Sequence, residues 1–325
     1  MDTRFFRSTK HYELDCQQLH YYFSGNGALN SQKLVEVMVH RKINEYKVIC
    51  QTYNAMYGQD LLHTLSSLAQ RNNNPFARAG YLRMCESHVR DAEIMRKSLM
   101  EGSLNLNTLI EVACTRSSYD LICIKHTYRS RYNSDLDREV YTKINGGYKE
   151  ILLAVLKSCR NYNGKADTSM AMCDAKTLYE AIESGRTIDQ TAILSLISHR
   201  NTCQLRSIFS SYKHLYGHEF SRSIKKRPKC GQFGAQLRIA IRCVQFPERF
   251  FAKLLRMKSG DSRELLIRVV ICRSGIDLKC IDRVFAAKTG SCMESLVRRE
   301  FSGFNCRNKV GDMAVSSLLV ALIRG

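Results

Sequence analysis

A chain of 325 residues with 44% hydrophobic residues and three prolines can bury a sizeable core and has few rigid turns. Fifty lysines and arginines against thirty aspartates and glutamates give a formal charge of +20. That charge points to an anionic partner, whether a phosphate-rich membrane face, a nucleic acid or an acidic protein. The start, MDTRFFRSTK, is charged and has no apolar core, so a secretory signal is not expected. The longest apolar runs, 269–272 and 318–323, are too short to cross a bilayer. The fourteen cysteines are therefore expected as reduced cytosolic thiols, many of them buried, and without a CxxC pair they do not suggest zinc.

The predicted elements recur four times. The first run, VMVHR, ends at Arg41 and is followed by Tyr46, Ile49 and Tyr53 at offsets of five, eight and twelve residues. Spacings of three and four place these on one helical face. Gly58, at offset seventeen, marks a helix stop, and Leu61 and Leu65 begin a second face. EVACTR, ending at Arg116, repeats the register with Leu121, Ile124 and Tyr128, the break at Asn133, then Leu136 and Val140. SLISHR, ending at Arg200, gives Leu205, Ile208, Tyr212, Gly217, Phe220 and Ile224. VVICR, ending at Arg273, gives Leu278, Ile281, Phe285, Gly290, Met293 and Val297. Each unit is read as a run of short helices with one buried face apiece. A generic helical solenoid remains open at this point, although units of roughly 70–80 residues exceed the common solenoid periods.

The motifs around this register resemble those of annexins, specifically plant annexins. FSGNGALN is similar to the family's glycine loop, and YNAMYGQDLLHTL continues the first repeat. EVACTRSSYDL and RSRYNSDLDREV carry the second, and AIESGRTIDQTAILSLISHR and IRCVQFPERFFAKLLR the third. LIRVVICRSGIDLKCIDRVF and the closing SSLLVALI carry the fourth. The resemblance implies an all-α protein of four repeats, about five helices each, forming a curved disc. Repeat bounds of 12–80, 88–160, 172–250 and 251–323 are expected. It also implies calcium sites made of glycine-loop carbonyls and a later Asp or Glu, because calcium takes six to eight oxygen ligands.

This sequence departs from that pattern. At offset twenty-seven, the position of the acid, stand Leu68, Lys143, Arg227 and Glu300. Only the fourth is a carboxylate. The first repeat keeps Gly25 and Gly27, with Ala28 where threonine is usual. The fourth keeps Gly260 within MKSGDS, but Lys258 replaces the first glycine. Gly25, Gly27, Gly260 and Glu300 are thus the candidates for weak, incomplete calcium sites. A register that instead placed Asn308, Gly311 and Asp312 in the motif would break the spacing from Arg273. The stretch GFNCRNKVGD is read as an inserted loop, with the last helix resuming near Ser316.

The expected function is peripheral attachment to acidic phospholipid at the cytoplasmic face of plasma membrane or endomembranes, with Lys143, Arg227 and Lys258 contacting phosphate directly. Asn26 stands where plant annexins often carry tryptophan, so no aromatic wedge is expected there. Catalysis is not expected. The resemblance aligns His40 with a histidine proposed for peroxidase chemistry, but the same slot holds Thr115, His199 and Cys272, which reads as packing. Cys114 and Cys243 align with a cysteine pair proposed as a redox cluster, for which helix burial is the simpler reading. There is no phosphate-binding GxxxxGK[ST] loop, since Gly164-Lys165 is followed by Ala166. The alternative is a basic binder of nucleic acid or acidic protein; self-association is left open.

Overall fold

The computed structural model describes residues 3–26, 31–71, 73–100, 102, 104–157, 165–184, 187–257, 262–302 and 309–325. Among these are twenty α-helices and no strand. They fall into four groups of five. The first is α1 (Thr3–Tyr21), α2 (Ser31–His40), α3 (Ile43–Tyr57), α4 (Leu61–Arg71) and α5 (Pro75–Met84). The second is α6 (Ser87–Ser98), α7 (Leu106–Thr115), α8 (Ser118–Tyr132), α9 (Leu136–Lys143) and α10 (Gly147–Leu156). The third is α11 (Thr168–Glu183), α12 (Gln190–His199), α13 (Thr202–Tyr216), α14 (Phe220–Lys226) and α15 (Gly231–Gln245). The fourth is α16 (Pro247–Arg256), α17 (Ser262–Arg273), α18 (Leu278–Thr289), α19 (Met293–Phe301) and α20 (Lys309–Arg324).

Local chemistry sets the helix ends. Asn74 caps α5 by accepting from the backbone of Phe76 and Ala77, with Pro75 at the first helical position. Ser117 and Asp120 form a reciprocal capping box on α8. The third helix of each group stops where the register predicts, on a left-handed residue: Gly58 (φ 64°), Asn133 (φ 47°), Gly217 (φ 72°) and Gly290 (φ 72°). Asparagine is the non-glycine residue that best tolerates this conformation, which explains its place in the second group.

The chain divides into two compact units. One comprises Met1–Glu86 with Phe251–Gly325, and the other Ser87–Phe250. In the first, α5 packs on α4, α17 and α20, and α2 also lies on α20. The Arg78 guanidinium reaches Glu264 at 2.7 Å, tying α5 to α17. In the second, α7 packs against α10 and α15, and α10 against α12. Within the first three groups the first and third helices lie together, as α1 on α3, α6 on α8 and α11 on α13. The register residues form the core: the four isoleucines Ile49, Ile124, Ile208 and Ile281 are each 0% exposed.

The last helix differs from expectation. It starts at Lys309, well before Ser316, and Gly311 and Asp312 are buried in it. Gly311, Val315, Leu318 and Leu322 are buried at helical spacing, so the apolar stripe runs back through the Gly-Asp pair. Asp312 receives an ion pair from Arg263, whose guanidinium also lies 4.6 Å from the Phe301 ring centre. Residues 303–308 of the expected inserted loop lie outside the described residues.

Candidate functional site

The repeat arginines are structural anchors. Arg41 donates to Asp15 at 2.8 Å, Arg116 is bidentate on Asp91, and Arg200 is bidentate on Asp174 at 2.7 and 3.1 Å. Each aspartate lies on the first helix of its repeat, so the pair clamps that helix to the end of the second. In the fourth repeat Arg273 turns instead to Asp277, at 2.7 and 2.6 Å, and lies 4.9 Å from the Phe251 ring centre. Burial alone would raise the Asp91 carboxyl; Arg116 and Arg90 outweigh it and hold it below its ordinary value. Sequence reading found the arginines and missed their partners, although Asp15, Asp91 and Asp174 recur 26, 25 and 26 residues upstream.

The expected acid positions lie in the last turns of the fourth helices or just after them. Leu68 is half-buried on α4. Lys143 ends α9, exposed, with its ammonium 2.8 Å from Glu139 Oε2. Glu139 also accepts from Ser134 Oγ at 2.5 Å and pairs with Arg96. Burial opposes ionisation of Glu139, but Lys143, Ser134, Tyr128 and Arg96 prevail and bring its pKa down to about 2. Arg227 caps the C-terminus of α14, exposed, and its guanidinium pairs with the Glu183 carboxylate at the end of α11. Next to it, Lys229 Nζ donates to the backbone carbonyls of Glu183 and Ser184 at 3.3 and 3.4 Å. Lys225 and Lys226, in the last turn of α14, are both exposed.

Glu300, near the end of α19, is half-buried and accepts from Ser262 Oγ at 2.9 Å. Ser262 is the first residue of α17, so the carboxylate stands beside the start of that helix. Arg299 lies 3.4 Å from its other oxygen. A pocket of about 760 Å³ opens beside it, lined by Arg256, Arg299, Met257 and Leu296 among others. Gly25 belongs to a π-helical turn, Tyr22–Asn26, that follows α1. Gly27, Lys258 and Gly260 lie outside the described residues.

Calcium needs a cage of hard oxygens with net negative charge. At the acid positions that the register expects, Lys143 in repeat two carries an ammonium and Arg227 in repeat three a guanidinium, and neither side chain offers an oxygen. Leu68 offers no oxygen in its side chain. In repeat four Glu300 supplies one carboxylate, with the Ser262 hydroxyl beside it. Among the described residues, no group of three or more His, Cys, Asp or Glu side chains is placed to hold a metal.

The comparisons with known proteins bear on this geometry. The annexin family model matches residues 90–155 and 173–229. Annexin D2 of Arabidopsis thaliana is 27% identical over 294 residues, covering 90% of this chain and 91% of that protein. Annexin A13 of Homo sapiens is 32% identical over 292 residues, covering 89% of this chain and 91% of that one. This chain belongs to the annexin family. The solved structure of annexin III superposes with a TM-score of 0.80 at 23% identity, covering 95% of this chain and 93% of that one. A calcium-bound annexin (Sm)1 superposes with a TM-score of 0.77 at 20% identity, covering 95% and 90%. These two likenesses concern the fold.

In this annexin the two cysteines aligned with redox proposals lie on helices that pack against each other. Cys114 on α7 and Cys243 on α15 are both buried. In the histidine slot, His40 and His199 are exposed, whereas Cys272 is buried and Thr115 donates to Glu111 O at 2.7 Å. The two histidines therefore do not pack as expected, because the slot lies at the helix end, where a longer side chain turns outward.

Proposed function

We propose that this annexin is a peripheral binder of acidic phospholipid in which basic side chains have partly taken over the role of calcium. The observation that carries this reading is the cationic end of α14. Lys225, Lys226 and Arg227 are all exposed, and Arg227 stands at the register position where the family places a carboxylate. Lysine and arginine near an anionic bilayer contribute about 1 kcal/mol each, attenuated within a Debye length. Arg227 is paired with Glu183, but a guanidinium has five donors, so one carboxylate does not exhaust it. Lys143 adds a second such point at the end of α9, and Lys258 a third in the repeat-four loop. Residual calcium binding is assigned to the Gly25–Gly27 loop of repeat one and to Gly260 with Glu300 in repeat four, each lacking part of its cage. The chain acts at the cytoplasmic face of a membrane, and no helix among the described residues is long and apolar enough to cross one. Tyr53, Tyr128 and Tyr212 are buried, which leaves those rings unavailable for base stacking and favours lipid over nucleic acid.

The test is co-sedimentation with phosphatidylserine or phosphatidylcholine vesicles at rising salt. Binding should be confined to phosphatidylserine and fall steeply with salt. Replacing both Lys225 and Lys226 by alanine should weaken it roughly 30-fold at low ionic strength, from about 1 kcal/mol per cation. Equal binding to both lipids, or no effect of the double replacement, would contradict the reading.

A further inference from the structure

An arginine that gives up water needs a counter-charge, because an unpaired charge is costly at low dielectric. The buried and half-buried arginines Arg41, Arg78, Arg116, Arg200 and Arg273 each meet a carboxylate. Arg238, midway along α15, does not. It is half-buried, and its Nε is closed off from solvent with no hydrogen-bond partner among the described residues. Among the same residues no carboxylate pairs with it or with Arg242, one turn further along the helix and exposed. Like charges four residues apart on a helix repel. Burial, and after it the Arg242 charge, lower the Arg238 pKa below its ordinary value.

The surrounding chain supplies no remedy. Between Glu219 and Glu248 stand seven lysines and arginines and no aspartate or glutamate. Both flanking carboxylates are engaged elsewhere. Glu219 accepts from Gln245 Nε2 at 3.0 Å and pairs with Lys213 at 3.1 Å, and Glu248 lies 4.0 Å from Arg249. Gly231 and Ala235 precede the two arginines on one helical face, at spacings of four, three and four residues, and both are exposed. A Cβ placed on Gly231 would meet nothing within 4 Å. Long helical side chains lean back over the preceding turn, and on α15 those turns are clear of bulk.

We propose that Arg238 and Arg242 form a binding site for a phosphate-type oxyanion on the exposed face of α15. Guanidinium forks match phosphate oxygens in bidentate geometry, and one dianion between the pair supplies both missing counter-charges. The phosphate group is either free or carried on a lipid headgroup. The site uses no calcium and none of the residues assigned to membrane contact above, so it stands apart from that reading.

Calorimetric titration with inorganic phosphate at constant ionic strength tests this on the native chain, Arg238→Gln, Arg242→Gln and Arg283→Gln. The last removes the same charge from an exposed position on α18. A second arm measures binding of the same four proteins to phosphatidylcholine vesicles containing phosphatidic acid, whose headgroup is a phosphate monoester. Each α15 replacement should weaken binding at least roughly tenfold, the loss of a charge-assisted hydrogen bond, and Arg283→Gln should behave as the native chain does. A loss confined to inorganic phosphate assigns the site to a free anion, and a loss on the vesicles assigns it to a headgroup. Arg242 is exposed, so its replacement gives the readout even where Arg238→Gln does not fold. No loss in either arm, or an equal loss in Arg283→Gln, would overturn the proposal.

Discussion

Replacing Asp91 by alanine should lower the free energy of unfolding by about 3–5 kcal/mol, measured by urea melts at neutral pH. The size follows from burial. Asp91 is 1% exposed and its partner Arg116 is 9% exposed, so truncation leaves a guanidinium charge in the interior without its bidentate partner. The equivalent change at Asp174 should cost less, because Arg200 retains 29% of its side-chain exposure and water can replace the carboxylate. The effect also has a pH signature. The folded Asp91 pKa lies below its ordinary value of 3.8, so its contribution is complete above that value and is lost as pH falls through the lower folded value. The native protein should therefore lose stability on acidification in a range where the variant loses less. A loss below 1 kcal/mol at neutral pH would show that the clamp between first and second helices is not what holds the second repeat.

The second large effect is expected in the third repeat. Ile208→Ala should destabilise by about 2–5 kcal/mol, since Ile208 is 0% exposed and sits among Leu205, Phe209 and Phe220. Ile276→Ala, at a residue 67% exposed, should change stability by no more than about 0.5 kcal/mol. Similar costs at both positions would mean that the register does not mark the core.

That register explains why so much of the fold was legible. A period of three and four residues after each arginine identifies a buried face without any tertiary information, and Gly58, Gly217 and Gly290 state where the helix must end. Asn133 was legible for the same reason, because few side chains accept a left-handed backbone. The final helix was misjudged because Gly311 and Asp312 look like turn residues, yet they continue an apolar stripe and Asp312 answers Arg263. The site was legible as a set of positions but not as a set of partners. Offset twenty-seven gives Lys143 and Arg227, whereas their opposite fates, one on its own helix at Glu139 and one across to Glu183, depend on packing. Lys229 carries no motif at all. Its contacts with Glu183 O and Ser184 O depend on the turn after α14 packing beside the end of α11. The aspartates paired with the repeat arginines could have been found, since their spacing is nearly constant, but a lone aspartate per helix does not attract attention without a reason to seek a counter-charge.

The central claim is that membrane attachment survives without calcium. Its most direct measurement is co-sedimentation of the native chain with phosphatidylserine vesicles at low salt, once with calcium and once with a chelator. Most of the bound fraction should remain in chelator, and calcium should add a modest increment. Complete release in chelator, with full recovery on adding calcium, would contradict it.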